Sequence, residues 1–513
     1  MIRTVLLHKA DELYLAKCAQ EHKFSYGIIV GHQAELNKSV VVHMARNNEE
    51  DADLEDLSDV RLTISDINSQ ALASQWLSAS KMCPGSFDVI GIFISSVRPD
   101  VASEDSAEFK NAKKLFSDVY DTLLKSSKTF GVYTTDVAQT DFVFLAYSLA
   151  NKKVLCKNYS YGKHCKKTYF TANIKCIICG GIFTDMEHRF VEKPFEWIPL
   201  ECNFDMDDVI PINDPARRIN IEEQFQNIIV AMRSNLMASE VFLQNEMVED
   251  TIELQAYIKK KKTKEEKEKN TSTAPRESTT ADQAPLELLG NNQSSNSQIN
   301  GAIRASIVLP LKCHLNNDTE IKVREFNGSM RMSGILSTRI YCNPRNSIAD
   351  VKRFLRDDVL RSLVTRIQVY CDGLTDPHVT NEAIYISEPP RRVYFTLPSD
   401  SDGKKANSVH SPVQFSEYLF RGEAPTVVVA QAKQILDIEL DPETIVLDAE
   451  GLPDDANFLS AGSGVLRDIE TQGMPSSMPK RELSRSLYML GISVALLVLL
   501  VSVALHFALN GQQ

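Results

Sequence analysis

The chain has 513 residues, 43% hydrophobic and 24% charged, which excludes wholesale disorder. Its formal net charge of −12 argues against a general nucleic-acid-binding role, for which a basic surface is expected. A mean hydropathy of −0.20 excludes several membrane spans but not one, and at about 150 residues per domain the length allows two or three domains.

Residues 1–210 read as mixed α/β. A short helix is expected over Asp11–Gln20. Ser25–Gly31 (Ser-Tyr-Gly-Ile-Ile-Val-Gly) and Ser39–His43 read as two strands joined by a polar turn, the first bounded by glycine that permits tight backbone geometry. An acidic loop runs from Asn48 to Asp59, and a helix over Ala71–Ala79 ends before Pro84. Phe87–Ser95 is a continuous apolar run, the pattern of a strand buried on both faces. Ala107–Ser126 carries Phe109, Ala112, Phe116, Val119 and Leu123 at helical spacing. Phe130–Thr134, Phe142–Leu149, Thr168–Ile174 and Gly181–Phe183 add strands, giving one α/β domain over 1–214.

A long amphipathic helix is expected over 215–269. Pro215 is placed to open it, and Phe225, Ile229, Met232, Leu236, Leu243, Met247, Leu254 and Ile258 recur at three-, four- and seven-residue spacing. Such a stripe serves either packing on its own domain or a partner seam. Its end, Lys259–Lys269, interleaves lysines with acids and reads as a solvated helix end. Residues 270–300 are rich in Ser, Thr, Asn and Gln with Pro275 and Pro285, a flexible linker. A second, α+β domain is expected over 301–448. Its strands are Ala305–His314, Arg339–Cys342, Ile367–Tyr370, Arg392–Leu397 and Thr426–Ala430, with a helix over Ile348–Arg366 and a polar loop over Ser399–Ser411. Residues 449–486 form another linker.

Leu487–Leu509 is free of formal charge and, at about 1.5 Å per residue, makes a helix of about 34 Å, enough for a bilayer core of about 30 Å. Lys480, Arg481 and Arg485 precede this transmembrane helix, which places the bulk of the chain in the cytosol. The N-terminus has too short an apolar run for a signal peptide, so a tail-anchored protein is expected. Its sequons at Asn37, Asn158, Asn317 and Asn327 then stay unglycosylated, and its ten cysteines stay mostly reduced. The span contains no Gly-x-x-x-Gly pattern to support dimerisation.

Catalytic signatures are sparse. Cys176-Ile-Ile-Cys179, with Cys156, His164, Cys165 and His188 nearby, could offer zinc two ligands from one turn. A second closely spaced pair is missing, so buried thiols are favoured over a metal or redox site. Nucleotide loops, a Gly-x-Ser-x-Gly elbow and His-Glu-x-x-His are absent. Asp376-Pro377-His378, with Cys371 upstream, contains residue types that activate a thiolate, but no Gly-flanked helix start lowers the cysteine pKa, and a turn is the better reading. No catalytic, cofactor or metal residue is assigned.

Four features together resemble the odorant response abnormal protein four family. They are Gly27-Ile-Ile-Val-Gly31 with its following strand and acidic loop, the strand Val89-Ile-Gly-Ile-Phe, Leu360-Arg-Ser-Leu-Val-Thr-Arg366, and the terminal anchor. The resemblance implies a non-enzymatic, tail-anchored adaptor of the endoplasmic-reticulum membrane. It would help seven-helix chemosensory receptors mature and leave for sensory cilia. It also implies a partner, a cysteine protease specific for the ubiquitin-fold modifier. Two other readings remain: a hydrolase of modifier conjugates using Cys371 and His378 or a cryptic metal, and a membrane tether without receptor clients.

The N-terminal domain also resembles the metalloprotease-like fold of the deubiquitinase and proteasome-lid families. Active members carry His-x-His after an apolar, Gly-containing strand. Here Ile94 and Ser96 occupy those places, which implies a catalytically dead domain kept for docking.

Overall fold

The computed structural model describes residues 3–35, 37–48, 63–130, 141–161, 181–193, 195–212, 218–271, 301–310, 328–375, 389–397, 413–420 and 423–450. Strand β1 (Arg3–His8) leads into helix α1 (Lys9–His22). That helix starts where it does because the His8 ring accepts the Ala10 N–H, while Asp11 accepts the His8 N–H at 2.7 Å. Then come β2 (Phe24–Glu35), β3 (Lys38–Arg46), α2 (Ser69–Met82), β4 (Asp88–Ser96), α3 (Ala107–Phe130), β5 (Asp141–Ser148), β6 (Lys153–Ser160) and β7 (Ile182–Val191). The strands close into a barrel in the order β1-β3-β2-β4-β5-β6-β7, because β1 pairs in parallel with both β3 and β7. Closure leaves no edge strand to template aggregation.

Alternation along the strands sorts the side chains. Val5, Ile29, Val41, Phe93, Leu145, Cys156 and Met186, one from each of the seven strands, join Leu15 of α1 in a single cluster, which places them inside the ring. The intervening residues, such as Ile28, Ile92, Phe144 and Leu155, face outward against Trp76 of α2 and Phe116 of α3. Two motif glycines sit where strands crowd. A Cβ on Gly27 would lie 2.0 Å from the Ala45 carbonyl oxygen, and one on Gly91 would lie 1.9 Å from that of Val143.

A second sheet follows. Its elements are β8 (Ile198–Ile212), α4 (Arg218–Met237), β9 (Glu240–Leu243), α5 (Leu254–Thr271), β10 (Ile303–Val308), β11 (Gly328–Cys342) and α6 (Ile348–Thr375). The strand order is β11-β8-β10-β9, and β8 and β11 pair antiparallel along their whole length, from Ile198↔Cys342 to Ile212↔Gly328. Helix α6 packs on α4 through Leu360, Leu363, Ile367 and Tyr370, and through Val351 and Leu355 on the cluster that covers the sheet. The chain then adds the pair β12 (Arg391–Thr396) and β13 (Gln414–Leu419), helix α7 (Thr426–Leu436) and a short 3-10 turn (Pro442–Thr444) before the described residues end at 450.

Mixed α/β architecture is as expected, but several elements are corrected. The single helix over 215–269 is two helices with a strand between. Val241 and Leu243 pair with β10, and Gln244 and Asn245 turn the chain at φ 49 and 63. The seven-residue step from Leu236 to Leu243 therefore crosses a helix end, not a continuous stripe. Expected domains 1–214 and 301–448 are not separate, since β10 and β11 share a sheet with β8 and β9, and residues 1–452 form one compact unit. Ile367–Tyr370, expected as strand, continues α6 because Ile367 and Tyr370 extend the buried helical spacing of Leu363. Thr426–Ala430, expected as strand from its β-branched run, opens α7. There tertiary donors override propensity: Asn48, Gln75 and His43 bond the carbonyls of Lys433, Ile435 and Leu436 at the helix end. The expected strand Phe130–Thr134 begins on the last residue of α3.

Other expectations fall outside the described residues. These are the strand Thr168–Ile174, nearly all of the acidic loop Asn48–Asp59, the end of the expected strand Ala305–His314, the polar loop Ser399–Ser411, most of both linkers and the span 487–509. Among the described residues no helix is long and apolar enough to cross a membrane.

The buried face of α4 sets a testable contrast. Phe225 and Leu236 are 1% and 0% exposed, whereas Val230 and Met237, seven residues apart, are 61% and 59% exposed. Phe225→Asp or Leu236→Asp should cost about 3–5 kcal/mol by loss of packing and burial of a carboxylate. Val230→Asp or Met237→Asp should change stability by less than about 0.5 kcal/mol. Thermal unfolding followed by circular dichroism reads both, and only the second pair can probe a partner without unfolding the protein.

Candidate functional site

The motif Leu360-Arg-Ser-Leu-Val-Thr-Arg366 lies in the middle of α6, where every residue from Asp357 to Ile367 is buried. A helix buried all round normally lacks charge. This one carries Asp357, Asp358, Arg361 and Arg366, so partners must come from the surrounding elements.

Arg361 Nη1 donates to the carbonyls of Cys83, Pro84 and Phe87 at 2.9, 3.0 and 2.8 Å. Its Nη2 lies 3.3 Å from the Asp88 carboxylate. One guanidinium thus satisfies the backbone of the turn between α2 and β4. Asp358 holds Arg392 of β12 in a two-pronged pair, at 2.6 and 2.9 Å, with both side chains fully buried. The same carboxylate accepts the Gly85 N–H at 2.8 Å. Arg366 pairs with Glu450, which also accepts the backbone N–H groups of Ser337 and Arg392, each at 2.9 Å. The Arg339 guanidinium stacks 4.3 Å from the Tyr394 ring centre.

Burial is the largest single influence and pulls the Arg392 pKa down, but Asp358, through its charge and its hydrogen bond, together with Tyr394 and Tyr418, holds it well above the ordinary arginine value. Burial pushes the Tyr394 phenol and the Cys83 thiol up, so neither supplies an anion. The junction is dry and charge-paired. With Arg392 Nε donating to Ser416 of β13 at 2.9 Å, it joins the α2–β4 turn, β11, α6, β12, β13 and Glu450, and it is suited to fixing their mutual geometry rather than to a chemical step.

The residues considered from sequence are dispersed. Ile94 is in the core of β4 and Ser96, fully buried, donates to the Lys23 carbonyl at 3.0 Å, so both side chains are committed to packing and a backbone bond. Among the described residues no cluster of His, Cys, Asp or Glu could hold a metal. Cys156 is buried in the barrel with its thiol pushed up to about 12 by burial. His188 stacks edge-on against Phe190. His164, Cys165, Cys176, Cys179, Asp376, Pro377 and His378 lie outside the described residues, as does the side chain of Cys371. Sequence reading missed Asp358, Arg392 and Glu450. Two arginines in a helix apolar on several faces were the available signal that buried acids must answer them.

Three comparisons bear on identity. The family profile described as "ODR4-like: Odorant response abnormal 4-like" matches residues 27–447, a range that contains the whole junction except Glu450. A Drosophila melanogaster protein called "Protein odr-4 homolog" is 70% identical over 99% of both chains, and one of the same name from Pongo abelii is 17% identical over 99% of both. Among solved structures, UfSP from C. elegans is matched at 8% identity with a TM-score of 0.39, over 85% of this chain and 57% of that one.

Proposed function

This chain belongs to the odorant response abnormal 4-like family, and on that premise we propose that it is a tail-anchored adaptor supporting the maturation and ciliary delivery of odorant receptors. The observation that carries the reading is the match over 27–447 together with 70% identity to a relative across nearly the full length. In this reading Leu487–Leu509 anchors the protein in the endoplasmic-reticulum membrane with residues 1–486 in the cytosol. The cytosolic body recruits a cysteine protease specific for the ubiquitin-fold modifier and performs no catalytic step of its own. Anchoring raises the effective concentration of the docked protease near newly made receptors without any new contact.

Cells lacking the protein should retain tagged odorant receptors in the endoplasmic reticulum, and the protease should shift from the membrane to the soluble fraction. The full chain should restore both, and so should a chain whose 487–509 is exchanged for another anchor with the same address. A chain ending at 486 should restore neither. Normal receptor delivery in the null cells would sink the trafficking role. An unchanged protease distribution with defective delivery would remove only the recruitment.

A further inference from the structure

Strand β2 delivers one polar ring into an otherwise apolar seam. His32 directly follows the Gly27–Gly31 stretch and is 0% exposed. The rings of Phe87, Trp197 and Phe354 wall it edge-on, with centroids 5.9, 5.3 and 5.4 Å away. These walls come from the turn before β4, the segment before β8 and helix α6. The imidazole therefore stands where the barrel meets the second sheet and its central helix.

Both ring nitrogens face oxygen. Nδ1 donates to the Ser86 carbonyl at 2.7 Å, since a carbonyl can only accept. Nε2 lies 3.2 Å from Asn346 Oδ1. That amide is held in its orientation because the same oxygen accepts the Asn343 N–H at 2.7 Å. A neutral imidazole has one N–H for two acceptors. A second proton would complete the pair, but it would place a cation in a dry aromatic box. The charges facing the ring are Asp350, which favours the second proton, and Arg353, which opposes it, both on α6. The α2–β4 turn contributes the Ser86 carbonyl, the segment before β8 the Trp197 indole, and β2 the ring itself. Burial is the strongest influence and holds His32 below the ordinary imidazole value, against the pull of Ser86, Asn346 and Asp350.

We propose that His32 is an acid-operated latch: protonating its ring loosens the seam between the barrel and the start of α6. The sign follows from linkage. A buried base whose folded pKa lies below its free value of about 6.5 binds fewer protons than in the opened state. The closed seam is therefore complete above that value and weakens as pH falls through it toward the folded one. Opening hydrates the ring and frees Trp197 and the residues around Asn346.

Hydrogen–deuterium exchange on the full chain in detergent micelles tests this, between about pH 7.5 and about pH 5.5 and corrected for intrinsic exchange. Protection across 195–200 and 343–355 should fall about tenfold on acidification. His32→Gln keeps an amide N–H for the Ser86 carbonyl and cannot titrate, so it should hold protection constant. His188→Gln, at another histidine lowered by burial, should respond like the parent. Equal acid responses in the parent and His32→Gln would overturn the latch. Should His32→Gln not fold, nitrogen NMR of the parent decides: the proposal requires a neutral ring protonated at Nδ1 at pH 7.5, with proton uptake accompanying loss of protection. A charged ring at pH 7.5 would overturn it as well.

Discussion

Asp358→Ala is expected to destabilise the protein by about 3–5 kcal/mol, the largest effect of any single side-chain truncation in the junction. The pair itself is weak support for stability, because taking two ions out of water costs much of what their attraction returns. Removing one partner is different. Arg392 would keep its charge at 0% exposure with no anion beside it, and the Gly85 N–H would lose its acceptor. Urea denaturation should show a lower midpoint with an unchanged slope. The double substitution Asp358→Leu with Arg392→Met should be markedly less destabilising than the sum of the single ones, because it removes both desolvation costs together. A cost for Asp358→Ala below about 1 kcal/mol would show that water reaches the site.

Gly91→Ala should follow closely, at about 3 kcal/mol or more, the upper end of what overpacking costs. The obstacle is the Val143 carbonyl oxygen, 1.9 Å from the added carbon. Unlike a side chain it cannot rotate away, since it belongs to the β5 backbone where β4 and β5 pair in parallel. Relief requires the two strands to separate, and in a closed barrel that displacement passes around the ring. Ile92→Val, one residue on and facing the outer core, serves as the control and should cost only about 0.5–1.5 kcal/mol. A Gly91→Ala protein with parental melting behaviour would mean that the barrel opens readily at this pair of strands.

Much of the architecture was legible where one period dominates. The run Val89–Ile94 and the stripe of α3 each report burial through hydrophobic spacing alone, and each element is present, as is the helix expected over Ile348–Arg366, which runs on to Thr375. Spacing misled where one signal crossed two elements. Leu236 and Leu243 keep a seven-residue interval, yet they stand on α4 and β9. The Thr-Val-Val-Val run favours a strand locally, but the carbonyls at the end of α7 find donors on β3, α2 and Asn48, and these long-range bonds decide for helix. The candidate site was half legible. Arg361 and Arg366 were visible as part of a motif, while their partners are scattered from Cys83 to Glu450, and no local pattern links residues so far apart.

The linear chain by itself determined the acidic globular body, the apolar segment over 487–509 as a distinct element, the lack of nucleotide-loop and hydrolase motifs, and the family resemblance. These are matters of composition and short spacing, which survive in one dimension. Tertiary structure alone decided that the barrel closes, that residues on both sides of 270–300 build one sheet, and that Asp358, Arg392 and His32 are dry. Pairing and desolvation depend on which surfaces meet, and elements distant in sequence meet only when the chain has folded.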